Sequence, residues 1–144
     1  MNTNQTYIQS KNIAPSWYLF DAKEQRLGRI STKIANLLRG KNESYYSSNI
    51  NHQNYIIIIN SKQIKVTGKK NSQKLYKRHS GKPGSMKVET FNELQKRIPN
   101  RIIEKAIKGM LPKGRLGRKL FTQIKIYEEE KHPHIAQNPQ LITL

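Results

Sequence analysis

The run Tyr55-Ile56-Ile57-Ile58-Ile59-Asn60 constrains the fold more than any other stretch of the chain. Isoleucine is branched at Cβ, which restricts its rotamers and suits it to a pleated strand. Successive strand residues point to opposite faces, so four isoleucines in a row put apolar surface on both sides of a sheet. Both sides need cover, and this predicts a central, parallel strand over 55–60. "WYLFDA" at 17–22 reads the same way, with four large apolar residues in a row closed by Asp21. Between the two, Leu27, Ile30, Ile34, Leu37 and Leu38 recur at helical spacing and Gly40 stands where a helix is capped, which predicts a helix over 25–39. Strand, helix, strand makes a βαβ unit, right-handed in nearly all cases, and the expected class is α/β.

The rest of the chain is less regular. Residues 62–68, "KQIKVTG", read as a short strand or hairpin leg, and 73–85, "QKLYKRHSGKPGS", as a basic loop broken by glycines. A helical region begins near Glu89, breaks at Pro99 and resumes with that proline in its first turn. Its apolar stripe is Ile102, Ile103, Ala106, Ile107 and Met110; Arg101, Lys105 and Lys108 fall on the other side, and Pro112 ends it. "FTQIKIYEE" at 121–129 alternates enough to be a last strand. With 144 residues the chain holds one domain. Its expected bounds are an extended arm over 1–16, a domain over 17–127 and a tail over 128–144 that packs on the domain or on a partner.

Charge narrows the function. Twenty-seven Lys and Arg against nine Asp and Glu give a net +18, and no acid occurs between Ser44 and Val88. Such a body repels itself unless a polyanion lies against it, and nucleic acid is favoured because each neutralised phosphate releases a condensed counterion. An anionic membrane is disfavoured: a membrane-surface protein presents an amphipathic helix with aromatic residues opposite its lysines, and the one Trp here belongs to a strand. The longest apolar run is too short to span a bilayer, and the first residues show neither a secretion signal nor an Arg-rich transit pattern, so a soluble protein working where it is made is expected. No cysteine is present, which removes disulfides, thiolate metal sites and cysteine nucleophiles together.

Catalytic patterns fail one by one. Gly109 and Gly114 have the four-residue gap of a phosphate-binding P-loop, but Arg115 stands in the Lys position and Leu116 where a hydroxyl must reach magnesium. The first βα turn, "DAKEQRLGR", has no G-x-G-x-x-G. His132 and His134 beside Glu128, Glu129 and Glu130 read as a solvated turn before they read as a metal site. Asp21 and His79 stay open as a pair that folding could bring together for RNA cleavage. The basic segments carry a stronger signal. Cations alternate with glycines in "SGKPGS" and "PKGRLGRK", and Tyr76, His79 and Phe121 are interleaved with them. Glycine lets backbone N–H groups approach phosphate closely, and Arg offers a bidentate fork. Several basic elements spread along the chain fit wrapping by a folded RNA better than one helix in a DNA groove, with non-specific DNA compaction as the alternative.

Five stretches then become recognisable: "WYLFDAKEQRLGRISTKIANLLRGK" (17–41), "INSKQIKVTGKK" (59–70), "YKRHSGKPG" (76–84), "EKAIKGMLPKGRLGRKLF" (104–121) and "HPHIAQNP" (132–139). In order and spacing they resemble the bacterial-type ribosomal large-subunit protein L-thirteen family. The resemblance implies a three-layer α/β/α domain around a four-stranded, mostly parallel sheet, binding to large-subunit rRNA early in assembly, neighbouring ribosomal proteins as partners, and no catalysis, cofactor or small-molecule substrate. The expected RNA-binding residues are Arg26, Arg29 and Lys33 on the first helix; Lys69 and Lys70; Lys77, Arg78, His79 and Lys82; and Arg101, Lys105 and Lys108 on the second. In "KGMLPKGRLGRKL" (108–120) they are Lys113, Arg115, Arg118 and Lys119, with Gly114 and Gly117 allowing close approach and Met110 and Leu111 anchoring the segment. Residues 43–54 depart from the family's usual run, so no RNA contact is assigned there. The long arm looks like plastid-encoded members. Ile, Asn, Lys and Tyr supply 57 of 144 residues, as AT-rich genes do. A chloroplast ribosome is the expected location, with bacterial cytoplasm as the alternative.

Overall fold

The computed structural model describes residues 14–142. Most of the arm expected over 1–16, and the last two residues, lie outside them.

Strand β1 (Ser16–Asp21) leads through a turn into α1 (Leu27–Leu38) and back into β2 (Asn54–Ile59). β1 and β2 pair in parallel, Phe20 opposite Ile58, which completes the βαβ unit. The turn is fixed by Asp21, whose Oδ1 accepts from the Lys23 N–H at 2.8 Å and from Asn60 Nδ2 at 2.9 Å. α1 stops where the sequence places its cap: Gly40 is left-handed (φ 69°), its N–H donates to the Leu37 carbonyl, and the Lys41 N–H reaches back to Asn36. A Cβ on Gly40 would also meet the His52 ring at 2.4 Å, so the same glycine ends the helix and seats the next loop.

β5 (Ile124–Ile126) joins the free side of β2, and β6 (Gln140–Leu141) the free side of β1, both parallel. The four-stranded order is β5-β2-β1-β6. The chain is thus α/β with a parallel four-stranded sheet, as expected. All four isoleucines of β2 are buried, Ile57 at 0 % exposure on one face and Ile56 and Ile58 at 0 % on the other. Phe20, Ile56, Ile58 and Ile124 share one apolar cluster with residues of α1, of α3 (Phe91–Arg97), of α4 (Asn100–Met110) and of α5 (Arg115–Thr122). Ile102, Ile103 and Ile107 supply the buried stripe of α4, each at 0 %.

Four local expectations are corrected. Residues 62–68 form no hairpin leg: a 3-10 turn, Ser61–Gln63, is followed by a single bridge between Lys65 and Arg26, because the Lys65 N–H and C=O are taken by the α1 entry. The basic loop at 73–85 contains a strand. After the short helix α2 (Lys70–Gln73), β3 (Leu75–Arg78) pairs antiparallel with β4 (Lys87–Thr90), so only the tip is a loop. The alternation that would have revealed β3 is broken because Tyr76 is its one buried residue and Leu75 points outward with Lys77. The strand expected over 121–129 shortens to 124–126, its first residues belonging to a helix over 115–122, and it is not the last strand, since the Pro-bearing tail returns to pair β6 with β1.

Candidate nucleic-acid interface

Amphipathic helices decide where the cations go. Burial of Leu27 and Ile30 turns the exposed Arg26 and Arg29 outward on the first turn of α1. Opposite them, Lys70 on α2 and Lys74 just beyond it complete an open groove of about 490 Å3, floored by Leu27, Val66, Ala106 and Met110. No acid lines this groove. Among the described residues Arg26, Arg29, Lys70 and Lys74 enter no ion pair; Lys65 pairs with Glu24 at 3.1 Å and Arg97 with Glu89 at 2.7 Å, both elsewhere. Met110 is 42 % exposed in the groove and is no anchor; its sulfur lies 3.7 Å from the Thr32 hydroxyl. Leu111, at 5 %, does the anchoring.

Two predicted aromatic platforms are already occupied. Tyr76 is buried to 8 % exposure, with Lys74 Nζ 5.6 Å and Lys105 Nζ 5.1 Å from its ring centre, and burial pushes its phenol pKa up. Lys108 lies 5.7 Å from the Phe121 ring centre. These rings hold ammonium groups in place and leave them exposed.

Segment 108–120 runs from the end of α4 through a turn into a helix. α5 carries Arg115, Arg118 and Lys119, and buries Leu120 at 1 %. Lys108, Lys113 and Arg118 border a groove of about 430 Å3 over Leu111, Pro112 and Phe121. Lys119 does not join them; it faces a separate cavity beside Tyr55 and Gln123. Gly117 has a role the sequence did not disclose. A Cβ there would stand 1.7 Å from the Pro112 carbonyl oxygen, so its absence lets α5 pack on the segment before it. Gly114, the N-cap, has nothing within 4 Å of a built Cβ and remains open to approach.

The hairpin forms a third group. Arg78 and Lys87 are paired directly across the ladder, and with His79, Ser80 and Ser85 they border a cleft of about 450 Å3 at its tip. Like charges opposite one another destabilise a sheet unless an anion relieves them. Lys77 and Lys82 are exposed nearby, and His79 Nδ1 accepts the Gly81 N–H at 2.9 Å. Arg101 is half-buried by contrast and contributes, with Arg78, to the field at Glu89; the hydrogen bonds from Arg97 hold that carboxyl below its usual range. Lys33 is half-buried on α1, and Lys69 caps α2. Lys74 and Lys87 were missed by sequence reasoning. Recognising β3 and β4 as a hairpin could have found Lys87, opposite Arg78; nothing in sequence points Lys74 at the α1 groove.

Asp21 and His79 bond to different partners, and no hydrogen bond joins them: one fixes the β1 turn, the other its own hairpin tip. Among the described residues no cluster of three or more His, Asp or Glu could hold a metal, and no helix is long and apolar enough to cross a membrane.

Fold and surface thus define a small α/β domain that displays grouped cations from a rigid core. The model of the family described as ribosomal protein L13 matches residues 15–133, and the chain belongs to that family. The family is structural and non-enzymatic. The chain is 57 % identical to large ribosomal subunit protein uL13c of the red alga Porphyra purpurea over 95 % of its own length and 96 % of the relative's. It is also 57 % identical to uL13 of Thermosynechococcus vestitus, over 92 % and 88 % of the two chains. A third relative, uL13c of Gracilaria tenuistipitata var. liui, is 56 % identical over 97 % and 98 %.

Proposed function

We propose that this protein is a structural constituent of the large subunit that binds large-subunit rRNA through phosphate contacts and supports early assembly. The observation that carries this reading is the acid-free groove in which Arg26 and Arg29 meet Lys70 and Lys74, residues over 40 positions apart in sequence. Folding has gathered charge that composition alone would scatter, and the repulsion is relieved by a phosphate backbone. The groups at Lys108, Lys113 and Arg118 and at Arg78, His79 and Lys87 extend the contact to separate RNA segments. The composition and the red-algal relatives favour a plastid ribosome, with cyanobacterial relatives keeping a bacterial one as the alternative; recovery of its peptides from purified plastid ribosomes checks this.

Competition between large-subunit rRNA fragments and duplex DNA of equal length, at fixed salt of about 150 mM, tests the function. One rRNA fragment should win by a wide margin. Equal affinity would reduce the protein to a non-specific polycation and overturn the reading.

A further inference from the structure

The cavity that Lys119 faces, of about 550 Å3, is unlike the other grooves. Its wall is built of amides, Asn49, Asn51, Gln53 and Gln123, around the Tyr55 ring. Gln123 is 4 % exposed, lines this cavity, and its Oε1 has no hydrogen-bond partner among the described residues. Buried amide oxygens are rarely left so. The surroundings are held firmly. Tyr55 is stacked on Trp17 with centroids 4.6 Å apart and planes 13° from parallel. Asn51 Oδ1 accepts the Gln53 N–H at 3.1 Å, closing a tight turn in which Gln53 takes a left-handed φ of 54°. His52, 1 % exposed between Tyr45 and Tyr46, pins the loop under Gly40.

An aromatic face, a ring of amides able to donate and accept, and one cation at the rim are the parts that recognise an unpaired nucleotide: ring stacking, edge hydrogen bonds and a phosphate contact. We infer that this cavity takes one unstacked nucleotide of RNA, its base against Tyr55, an N–H of its edge given to the Gln123 amide and its phosphate at Lys119. The inference rests on the RNA-binding reading, but uses a surface apart from the phosphate-binding grooves and a loop to which the sequence assigned no contact. It also explains why Lys119 points away from Lys108 and Arg118.

The test uses the full chain and two single-stranded RNA hexamers, one with a central 2-aminopurine and one abasic at that position. A seated base should be quenched by Tyr55, and the hexamer that carries it should bind about tenfold tighter than the abasic one, given the strength of base stacking on aromatic rings. Tyr55→Leu and Asn51→Ala should each shrink that preference, with circular dichroism and the affinity of the abasic hexamer unchanged; Asn51, on the rim, covers the case in which Tyr55→Leu fails to fold. Equal binding of the two hexamers without quenching would overturn the pocket and leave the phosphate reading intact. A preference that survives both substitutions would also overturn it, since the base would be held elsewhere. Failure of both hexamers to bind would likewise overturn the pocket, while the RNA reading stands or falls separately on the rRNA-fragment competition. AMP competing as well as the hexamer would replace the RNA nucleotide with a free one and contradict the inference as stated.

Discussion

The groove over α1 and the β3–β4 hairpin both gather cations, yet they are anchored differently. Arg26 and Arg29 stand beside Leu27 and Ile30, which are 5 % and 0 % exposed, and α1 rests on α4 and the sheet. The hairpin holds its cations on a ribbon with one buried ring, Tyr76, while Leu75, Met86 and Val88 stay 53 %, 56 % and 44 % exposed. Two-stranded ribbons are marginal without packing, so the groove is a preformed surface and the hairpin an attached one. Charge on the first costs little to hold in place; charge on the second is ordered mainly by what it binds.

The largest expected effect sharpens this contrast at the joint between segments 108–113 and 115–122. Gly117→Ala should destabilise by about 3 kcal/mol, since its Cβ would sit on the Pro112 carbonyl, a contact that only a shift of α5 relieves. Gly114→Ala, three residues away with open space around it, should cost only about 0.5–1 kcal/mol, the ordinary preference of an N-cap for Gly over Ala. Denaturant unfolding distinguishes the two, and equal values would remove the packing argument. Next, Tyr76→Ala should cost about 2 kcal/mol and loosen the hairpin alone. Hydrogen exchange should then show the β3 and β4 amides, already faster than those of β2 in the parent protein, exchanging faster still while β2 is unchanged. Equal protection of the two regions in the parent would erase the comparison. The smallest effect concerns pH. Hydrogen bonds from Arg97 lower the Glu89 pKa, so the pair's stabilisation is present above the unfolded carboxylate pKa and is lost as pH falls through the lower folded value. Arg97 is exposed and Glu89 only half-buried, so Glu89→Gln should lower stability slightly at neutral and alkaline pH and leave it unchanged at the acid end, where the parent's own carboxyl is protonated. A loss of equal size at the acid end would point to packing and not to charge.

The sequence made the sheet legible where side chains alone dictate it. Four consecutive isoleucines admit few environments, and Gly40 could be placed as a cap because a left-handed residue is needed there. The hairpin and β6 were not legible, because their pairing is carried by backbone groups and long-range register, and with Leu75, Val88 and Leu141 exposed they show no apolar-in, polar-out alternation. At the interface, composition gave the charge and helix period gave Arg26, Arg29 and Lys108 their outward face. Meeting of Lys74 with Arg29 across the groove, and separation of Lys119 from Arg118, depend on how α2 and α5 dock. Gly117 was assigned to close approach by phosphate; the close approach is by the protein's own backbone at Pro112. Both readings need a missing Cβ, and only the fold tells which neighbour requires it.

The salt dependence of rRNA binding tests the central claim most directly. For the parent protein and for Arg26→Ala/Arg29→Ala/Lys74→Ala, the logarithm of affinity is measured against the logarithm of salt concentration. The slope should fall by about 0.7–0.9 for each phosphate contact removed, roughly two units for the triple variant, with thermal stability unchanged. An unchanged slope would mean that the groove gathers its cations for some purpose other than the phosphate backbone.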